Sequence, residues 1–135
     1  MSNPQFLTTL DVRAMPTPDE WVLLAPLRYQ PATGRPVTVP AGFVTDLASI
    51  PRPARALVSP NGTSRRAAVL HDWLYCLRAG ARAEADALFL EALEADGVGW
   101  FTRRVMWLAV RAGGWVYWGR RADGLTGDDF TDIGS

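Results

Sequence analysis

The chain contains no lysine and only one cysteine, and it has no excess of charge of either sign. All fourteen basic residues among the 135 are arginines, and fourteen acidic residues balance them, so no net field attracts the chain to nucleic acid. A lone Cys76 forms neither an intrachain disulfide framework nor a cysteine-rich zinc site. We therefore expect no nucleic-acid partner and no disulfide-stapled scaffold.

Long hydrophobic runs are also missing. No uncharged apolar stretch is long enough to cross a bilayer, and the first residues lack the charged and apolar regions of a signal peptide. We expect no membrane span and no signal peptide. With 48% hydrophobic and 21% charged residues, the composition predicts one globular domain over residues 1–122, followed by a loose acidic tail over 123–135.

The first part of the chain has the composition of short β-strands. Gln5 to Met15 alternates loosely, while Trp21–Ala25 and Val37–Val39 are β-branched and aromatic. The turn at Pro31–Pro36 predicts a hairpin between the second and third of these strands, within an antiparallel meander. An irregular, ordered loop is expected from Asp46 to Asn61.

From Thr63 to about Arg121 the pattern is helical, which predicts an α+β fold with the helices after the sheet. The expected bounds are Thr63 or Ser64 to Ala79-Gly80, Arg82 to Ala95 with a stop at Asp96-Gly97, and a third segment from Trp100 with a bend at Gly113-Gly114.

The first helix carries the only histidine, His71, which can exchange protons near neutral pH. Tyr75 lies one turn later on the same face, and Asp72 points to one side. On the second helix Asp86 belongs to the apolar stripe of Phe89 and Leu93, where an unpaired carboxylate would be costly.

The turn between the two helices lies midway between His71 and Asp86. We therefore predict that Asp86 accepts a hydrogen bond from the imidazole. The three glutamates of the second helix are assigned to its solvated face; they are Glu84, Glu91 and Glu94.

Two interpretations of this pair remain open. In the catalytic one, His71 is the general base, Asp86 orients it, Tyr75 hydrogen-bonds to Asp86 or substrate, and Asp72 holds a divalent cation such as calcium. In the structural one, the buried histidine and aspartate tie two helices together. No cofactor is required by the second interpretation.

The loop after Asp46 could contribute to the same site. Asp46 is a candidate metal ligand, Ser49 a candidate polar contact to substrate, and Arg52 a candidate anion clamp. The alternative is a local turn with a surface ion pair.

Aromatic residues alternate with arginines in the third helical segment, where we weigh three roles. Apolar residues on nearly every side favour a helix buried centrally against the sheet. Docking on another protein is the second role, and peripheral lipid contact is the third. The residues are Trp100, Phe101, Trp107, Trp115, Tyr117 and Trp118 with Arg103, Arg104, Arg111, Arg120 and Arg121.

Four runs of sequence resemble the phage and prophage family catalogued as domain of unknown function 1353. They are residues 42–52, 71–75, 82–89 and 106–113. The resemblance implies origin in a tailed phage, a prophage or a related particle. A chain of that origin is made in the bacterial host cytoplasm and is expected to bind other particle proteins.

A second resemblance concerns only the helix pair. His71-Asp72 with Tyr75, and Asp86 on an antiparallel helix, are similar to the helix pair of phospholipase A2 enzymes. That resemblance implies that His71 activates water, Asp72 binds calcium and Asp86 orients the histidine. The leading functional hypothesis is a phage-related hydrolase acting on ester or cell-envelope substrates, and the alternative is a non-catalytic accessory or structural protein of the tail or head-tail region.

Overall fold

Short strands form two separate antiparallel sheets in the computed structural model, which describes residues 2–17, 20–46, 50, 54, 64–78 and 80–118. The strands are β1 (Gln5–Phe6), β2 (Val12–Ala14), β3 (Trp21–Leu23), β4 (Leu27–Gln30), β5 (Val37–Val39) and β6 (Val44–Thr45). One sheet has the order β1-β4-β5 and the other the order β2-β3-β6. The prediction of one meander of three strands was therefore wrong, because six strands in the described residues form two sheets.

The predicted hairpin has a different first strand. Val37–Val39 pairs with Leu27–Gln30, in the register Tyr29 opposite Val37, while Trp21–Leu23 pairs with β2 and β6 in the other sheet. Pro26 separates β3 from β4 and lacks the N–H that a continuous ladder would need. The turn at residues 31–36 was placed correctly, but the strand that precedes it was missed.

Three helices in the described part of the chain follow the strands, in agreement with the predicted α+β fold. They are α1 (Arg65–Leu77), α2 (Arg82–Ala95) and α3 (Trp100–Gly113), and a 3₁₀ turn over Gly114–Tyr117 continues α3. Ser64 occupies the N-cap position of α1, although its side chain makes no capping hydrogen bond. Gly97, with φ +83°, follows the C-cap Asp96 and ends α2 in the left-handed conformation that glycine adopts without strain.

The central helix is α1, not the aromatic third helix. Every residue of α1 from Ala67 to Cys76 is buried, so this helix is enclosed on all sides. Helix α2 packs against both α1 and α3. In α3 only Met106 and Val110 are buried, and large apolar side chains point outward.

The prediction that α3 lies centrally against the sheet was wrong for a physical reason. Apolar residues on nearly every side of a helix indicate burial only when each side meets protein. One side of α3 meets α2, and the opposite apolar side faces outward.

Glu91 connects the first sheet to α2. The buried Tyr29 of β4 donates a 2.5 Å hydrogen bond from its hydroxyl to Oε1 of Glu91, which also accepts from the amide of Ala32. Burial and this carboxylate raise the pKa of Tyr29 above its ordinary value, so the hydroxyl keeps its proton. The assignment of Glu91 to the solvated face was therefore wrong, because the β4–β5 hairpin covers it. Glu84 and Glu94 are exposed as predicted.

Replacing Tyr29 by phenylalanine is expected to lower the free energy of unfolding by about 1.5–3 kcal/mol, as for other hydrogen bonds to charged groups. The ring stays buried, but Glu91 loses its closest donor. Urea unfolding measures the change. Glu84→Gln, at an exposed position of the same helix, is the control and should leave stability unchanged. An equal midpoint for Tyr29→Phe and the parent chain would contradict the role of this bond.

Two predicted segments lie outside the described residues: the loose tail over 123–135 and most of the loop from Asp46 to Asn61. Among the helices that the structure does describe, none is long and apolar enough to traverse a bilayer.

Candidate functional site

His71 and Asp86 meet where α1 and α2 pack together, as the sequence predicted. The Nε2 atom of His71 lies 2.7 Å from Oδ1 of Asp86, and both side chains have no exposed surface. An ionised carboxylate can only accept hydrogen bonds, so Nε2 carries the proton and donates it. The helical hairpin thus places residues fifteen apart in direct contact.

Three further side chains surround the same carboxylate. The hydroxyl of Tyr75 donates to Oδ1 at 2.6 Å, and Nη1 of Arg111 donates to Oδ2 at 2.8 Å. Arg82 precedes Asp86 by one turn of α2, and its Nη1 lies 3.5 Å from Oδ2. Both oxygens of Asp86 therefore accept hydrogen bonds from α1 or α3, and Arg82 of α2 adds a nearby positive charge. We call Asp86 and these four partners the Asp86 cluster.

Arg82 also fastens the end of α3. Its guanidinium donates to the carbonyls of Val110 and Arg111 at 3.0 and 3.1 Å, and to the Tyr75 hydroxyl at 3.2 Å. A cation at a helix C-terminus satisfies carbonyls that have no partner within the helix. The Asp86 cluster therefore joins the last turn of α3 to the first turn of α2.

The charges around Asp86 set the pKa values of the pair. Burial alone raises the pKa of Asp86, but hydrogen bonds from His71, Tyr75 and Arg111 outweigh it and hold this pKa below its ordinary value. Burial lowers the pKa of His71 despite the bond to Asp86, and the nearby charge of Arg82 acts in the same direction. The favoured state is a neutral imidazole that donates to an ionised carboxylate.

Tyr75 shares this environment. Burial, followed by the hydrogen bond to Asp86, raises the pKa of its hydroxyl above the ordinary value. The centre of its ring lies 4.1 Å from the centre of the His71 imidazole. The ring of Phe89, on α2, lies 4.6 Å from the same imidazole. The imidazole thus packs against two aromatic rings.

A nearby groove does not reach the cluster. It has a volume of about 260 Å³ between the β4–β5 turn and the helical hairpin, and it is lined by Pro31, Thr33, Arg35, Val37, Leu74, Glu84, Ala85 and Leu88. Leu74 and Ala85 precede Tyr75 and Asp86 in sequence, yet neither His71 nor Asp86 lines the groove. The groove is therefore lined by neighbours in sequence of the Asp86 cluster but by none of its members.

Asp72, the predicted metal ligand, makes a contact to the second sheet. It is buried, and its Oδ2 accepts a 2.8 Å hydrogen bond from the hydroxyl of Thr45 on β6. Asp46 is half-buried at the end of the same strand. Within the described residues, no three histidine, cysteine, aspartate or glutamate side chains form a group that could hold a metal ion. The cation at Asp72 and Asp46 stays a prediction, and Ser49 and Arg52 lie outside the described residues.

Arg111 is the residue of the site that sequence reasoning missed. It was grouped with the other arginines of the third segment. A signal for it existed: a carboxylate on an apolar stripe needs several donors, and antiparallel packing brings the end of one helix beside the start of the previous one. Arg111 occupies the last turn of α3 and thus lies at the height of Asp86.

Comparison with protein families identifies the chain. The model of a family described as a protein of unknown function, DUF1353, matches residues 21–110. The chain belongs to this family. The match runs from β3 to Val110 and thus includes His71, Tyr75 and Asp86. No curated protein and no solved structure matches the chain significantly.

Stability is expected to fall as the pH drops from about 7 to 5. His71 is the only histidine, its pKa is lowered in the folded chain, and it is about 6.5 in an unfolded one. Between those two pKa values the unfolded chain binds one more proton, so stability rises with pH in this window and is fully present above about 6.5. Thermal unfolding at half-unit pH steps measures the slope.

The matched variant is His71→Asn, which removes the titrating group. It should be less stable at pH 7, and its unfolding temperature should change little between pH 5.5 and 7. Below about pH 4 both chains should lose stability, because Asp86 must take up a proton as the pH falls through its depressed pKa. A parent chain that is most stable at pH 5.5 would show that the imidazole is charged in the fold.

Proposed function

We propose that this protein is a non-catalytic accessory or structural protein of a phage or phage-like particle, and that it binds another particle protein through one side of α3. The observation that carries the proposal is a row of large exposed side chains. Trp100, Phe101 and Leu108 are 62%, 73% and 58% exposed. Together with the exposed Arg104 they form what we call the outer face of α3, and the exposed Trp115 and Val116 follow directly after the helix.

Such a face has the composition of a protein-binding surface. Tryptophan, phenylalanine and arginine are enriched in the centres of interfaces, and residues of this kind dominate binding energy there. Trp100, Arg104 and Leu108 are spaced four residues apart and so form one row along the helix. Large exposed apolar side chains grouped on one face of a helix are typical of a site that binds another protein.

The Asp86 cluster supports the non-catalytic part of the proposal. A general base must come within hydrogen-bond reach of water or substrate. His71 is fully enclosed, its Nε2 is engaged by Asp86, and both carboxylate oxygens accept hydrogen bonds from side chains of α1 and α3. An arrangement of this kind acts as a tie between helices, as in the structural interpretation of the sequence.

Sedimentation with assembled particles tests the proposal. The chain, tagged and expressed from its own locus in the source cell, should co-sediment with the particle. The variant Trp100→Ser/Phe101→Ser/Leu108→Ser should stay in the supernatant, because the loss of two or more interface anchors lowers affinity by about 100-fold or more. Circular dichroism should show the same helix content as the parent chain, since these side chains are exposed.

Leu24→Ser is the matched control, because Leu24 is 52% exposed but lies between β3 and β4. This variant should co-sediment like the parent chain. The proposal is wrong if the triple variant co-sediments equally well, or if the parent chain is absent from the particle.

A hydrolase is the second candidate function, and the 2.7 Å contact of His71 with Asp86 beside Tyr75 favours it. Its test is turnover of short-chain esters by the purified chain, with and without millimolar calcium. Hydrolysis that disappears in His71→Asn but not in Leu24→Ser would support a catalytic histidine. Equal, background-level turnover by all three chains would remove this candidate.

A further inference from the structure

The outer face of α3 offers positive charge and apolar surface without a carboxylate of its own. No acidic residue occurs between Trp100 and Ala122. Arg103 is paired with Glu94 of α2, and Arg111 with Asp86. Within the described residues Arg104 has no carboxylate at ion-pair distance, and its guanidinium carbon lies 5.8 Å from the centre of the Trp100 ring. A matching occupant must supply carboxylates and apolar side chains together.

The same chain contains a segment with that composition. Residues 123–135 carry four aspartates and no basic residue. Three large apolar residues, Leu125, Phe130 and Ile133, are interspersed among them. Asp128 and Asp129 directly precede Phe130, so a carboxylate and an aromatic ring can reach neighbouring positions on the face.

Chain length allows the segment to reach the whole face. The described chain ends at Trp118, whose ring packs edge-on against Tyr75 at 5.0 Å. Leu125 is seven positions after Trp118, a distance that spans up to about 23 Å when the chain is extended. Helix α3 has fourteen residues and is about 21 Å long. Residues 125–133 can therefore lie alongside Trp100, Arg104 or Leu108.

We propose that residues 123–135 occupy the outer face of α3 in the same chain and compete there with the partner protein. The aspartates pair with Arg104, and the apolar side chains cover Trp100, Phe101 and Leu108. A tether of this length holds the segment at about millimolar effective concentration, so a weak contact suffices. A partner must displace the segment, which delays binding until a surface of higher affinity is present. The competition rests on the proposed function, whereas the contact within the chain does not.

The charge of the outer face of α3 argues against two other occupants, an anionic membrane and a second copy of the chain. One unpaired arginine on α3 gains only about 1 kcal/mol at an anionic membrane, too little to hold the chain there. A second copy related by twofold symmetry would place the same face against itself. Arg104 would then meet a surface that has arginine but no carboxylate, and like charges would oppose the dimer.

Photo-crosslinking of the full chain tests the contact. The photoreactive p-benzoylphenylalanine replaces Phe130, and the irradiated monomer is digested with trypsin. We expect crosslinked peptides that contain Trp100 or Leu108, at the mass of a single chain. The matched control carries the same group at Leu24 and should give no crosslink to α3.

Crosslinks that join two chains would assign the face to a second copy and overturn the proposal. Crosslinks spread over the surface without preference for α3 would overturn it as well. Neither outcome affects the sedimentation test, which depends on the partner and not on residues 123–135. The failure of one proposal is thus distinguishable from the failure of the other.

Quenching of tryptophan fluorescence by acrylamide gives a second measurement on folded chain. The variant Leu125→Ser/Phe130→Ser/Ile133→Ser should expose Trp100 and increase the quenching constant, while Thr126→Ser/Thr131→Ser in the same segment should not. In Trp100→Phe the difference between the two variants should shrink. Equal quenching in all chains that retain Trp100 would show that the face is open to solvent, contrary to the proposal.

Discussion

Replacing Asp86 by asparagine is expected to lower the free energy of unfolding by about 3–5 kcal/mol, as when one partner of a buried ion pair is removed. The carboxylate accepts from His71, Tyr75 and Arg111, and Arg82 lies beside it. When Asp86 loses its negative charge, the guanidinium groups of Arg82 and Arg111 still repel each other and no longer have a counterion. A domain of this size has about 5–15 kcal/mol of stability, so the loss is a large part of the total.

Glu94→Gln is the matched control, because it removes one negative charge from an exposed position of the same helix. We expect a change below about 0.5 kcal/mol there. Denaturant unfolding at pH 7 measures both variants. An Asp86→Asn chain that unfolds within 1 kcal/mol of the parent would mean that the Asp86 cluster does not hold the helices together.

Replacing Gly114 by alanine is expected to cost about 2–4 kcal/mol, from overpacking together with the loss of one buried hydrogen bond. A β-carbon at this position would lie 2.7 Å from the hydroxyl oxygen of Tyr75 and 3.1 Å from its ring. The tyrosine must then move away from Asp86. The backbone of Gly114, with φ −69° and ψ −22°, is one that alanine adopts readily, so the cost is steric.

Two comparisons isolate this cause. Gly99→Ala adds a methyl group where no atom lies within 4 Å, and it should cost only about 0.5 kcal/mol as a poorer N-cap. Gly114→Ala combined with Tyr75→Phe should be less destabilised than the sum of the two single variants, because the clashing hydroxyl is gone. If the free-energy changes of the two single variants simply add in the double variant, the clash does not involve the Tyr75 hydroxyl.

The helices and the central contact of the site could be predicted because both depend on local pattern. Helix α2 begins at Arg82 and ends at Ala95 as predicted, since its apolar period and the glycine after it are signals in the sequence itself. The contact of His71 with Asp86 followed from one turn of known position and the burial of a charged residue. Each required only the geometry of a single hairpin.

The strands could not be predicted in the same way. Strands of two to four residues carry little periodicity, and their partners are chosen by packing between distant segments. The missed strand β4 shows this, since Leu27 and Tyr29 are buried while Arg28 is exposed, an alternation too short to stand out. Glu91 was misplaced for the same reason, because the element that covers it is sixty residues away in sequence.

The sequence by itself determined the helical bounds, the α+β class and the need of Asp86 for buried donors, because periodicity, turn residues and desolvation act within one or two neighbouring elements. Only the tertiary structure decided that α1 is the central helix and that Arg111 completes the Asp86 cluster. It also decided that α3 turns Trp100 and Phe101 outward. Apolar side chains have no direction of their own, and which of them are covered depends on the elements that pack against them.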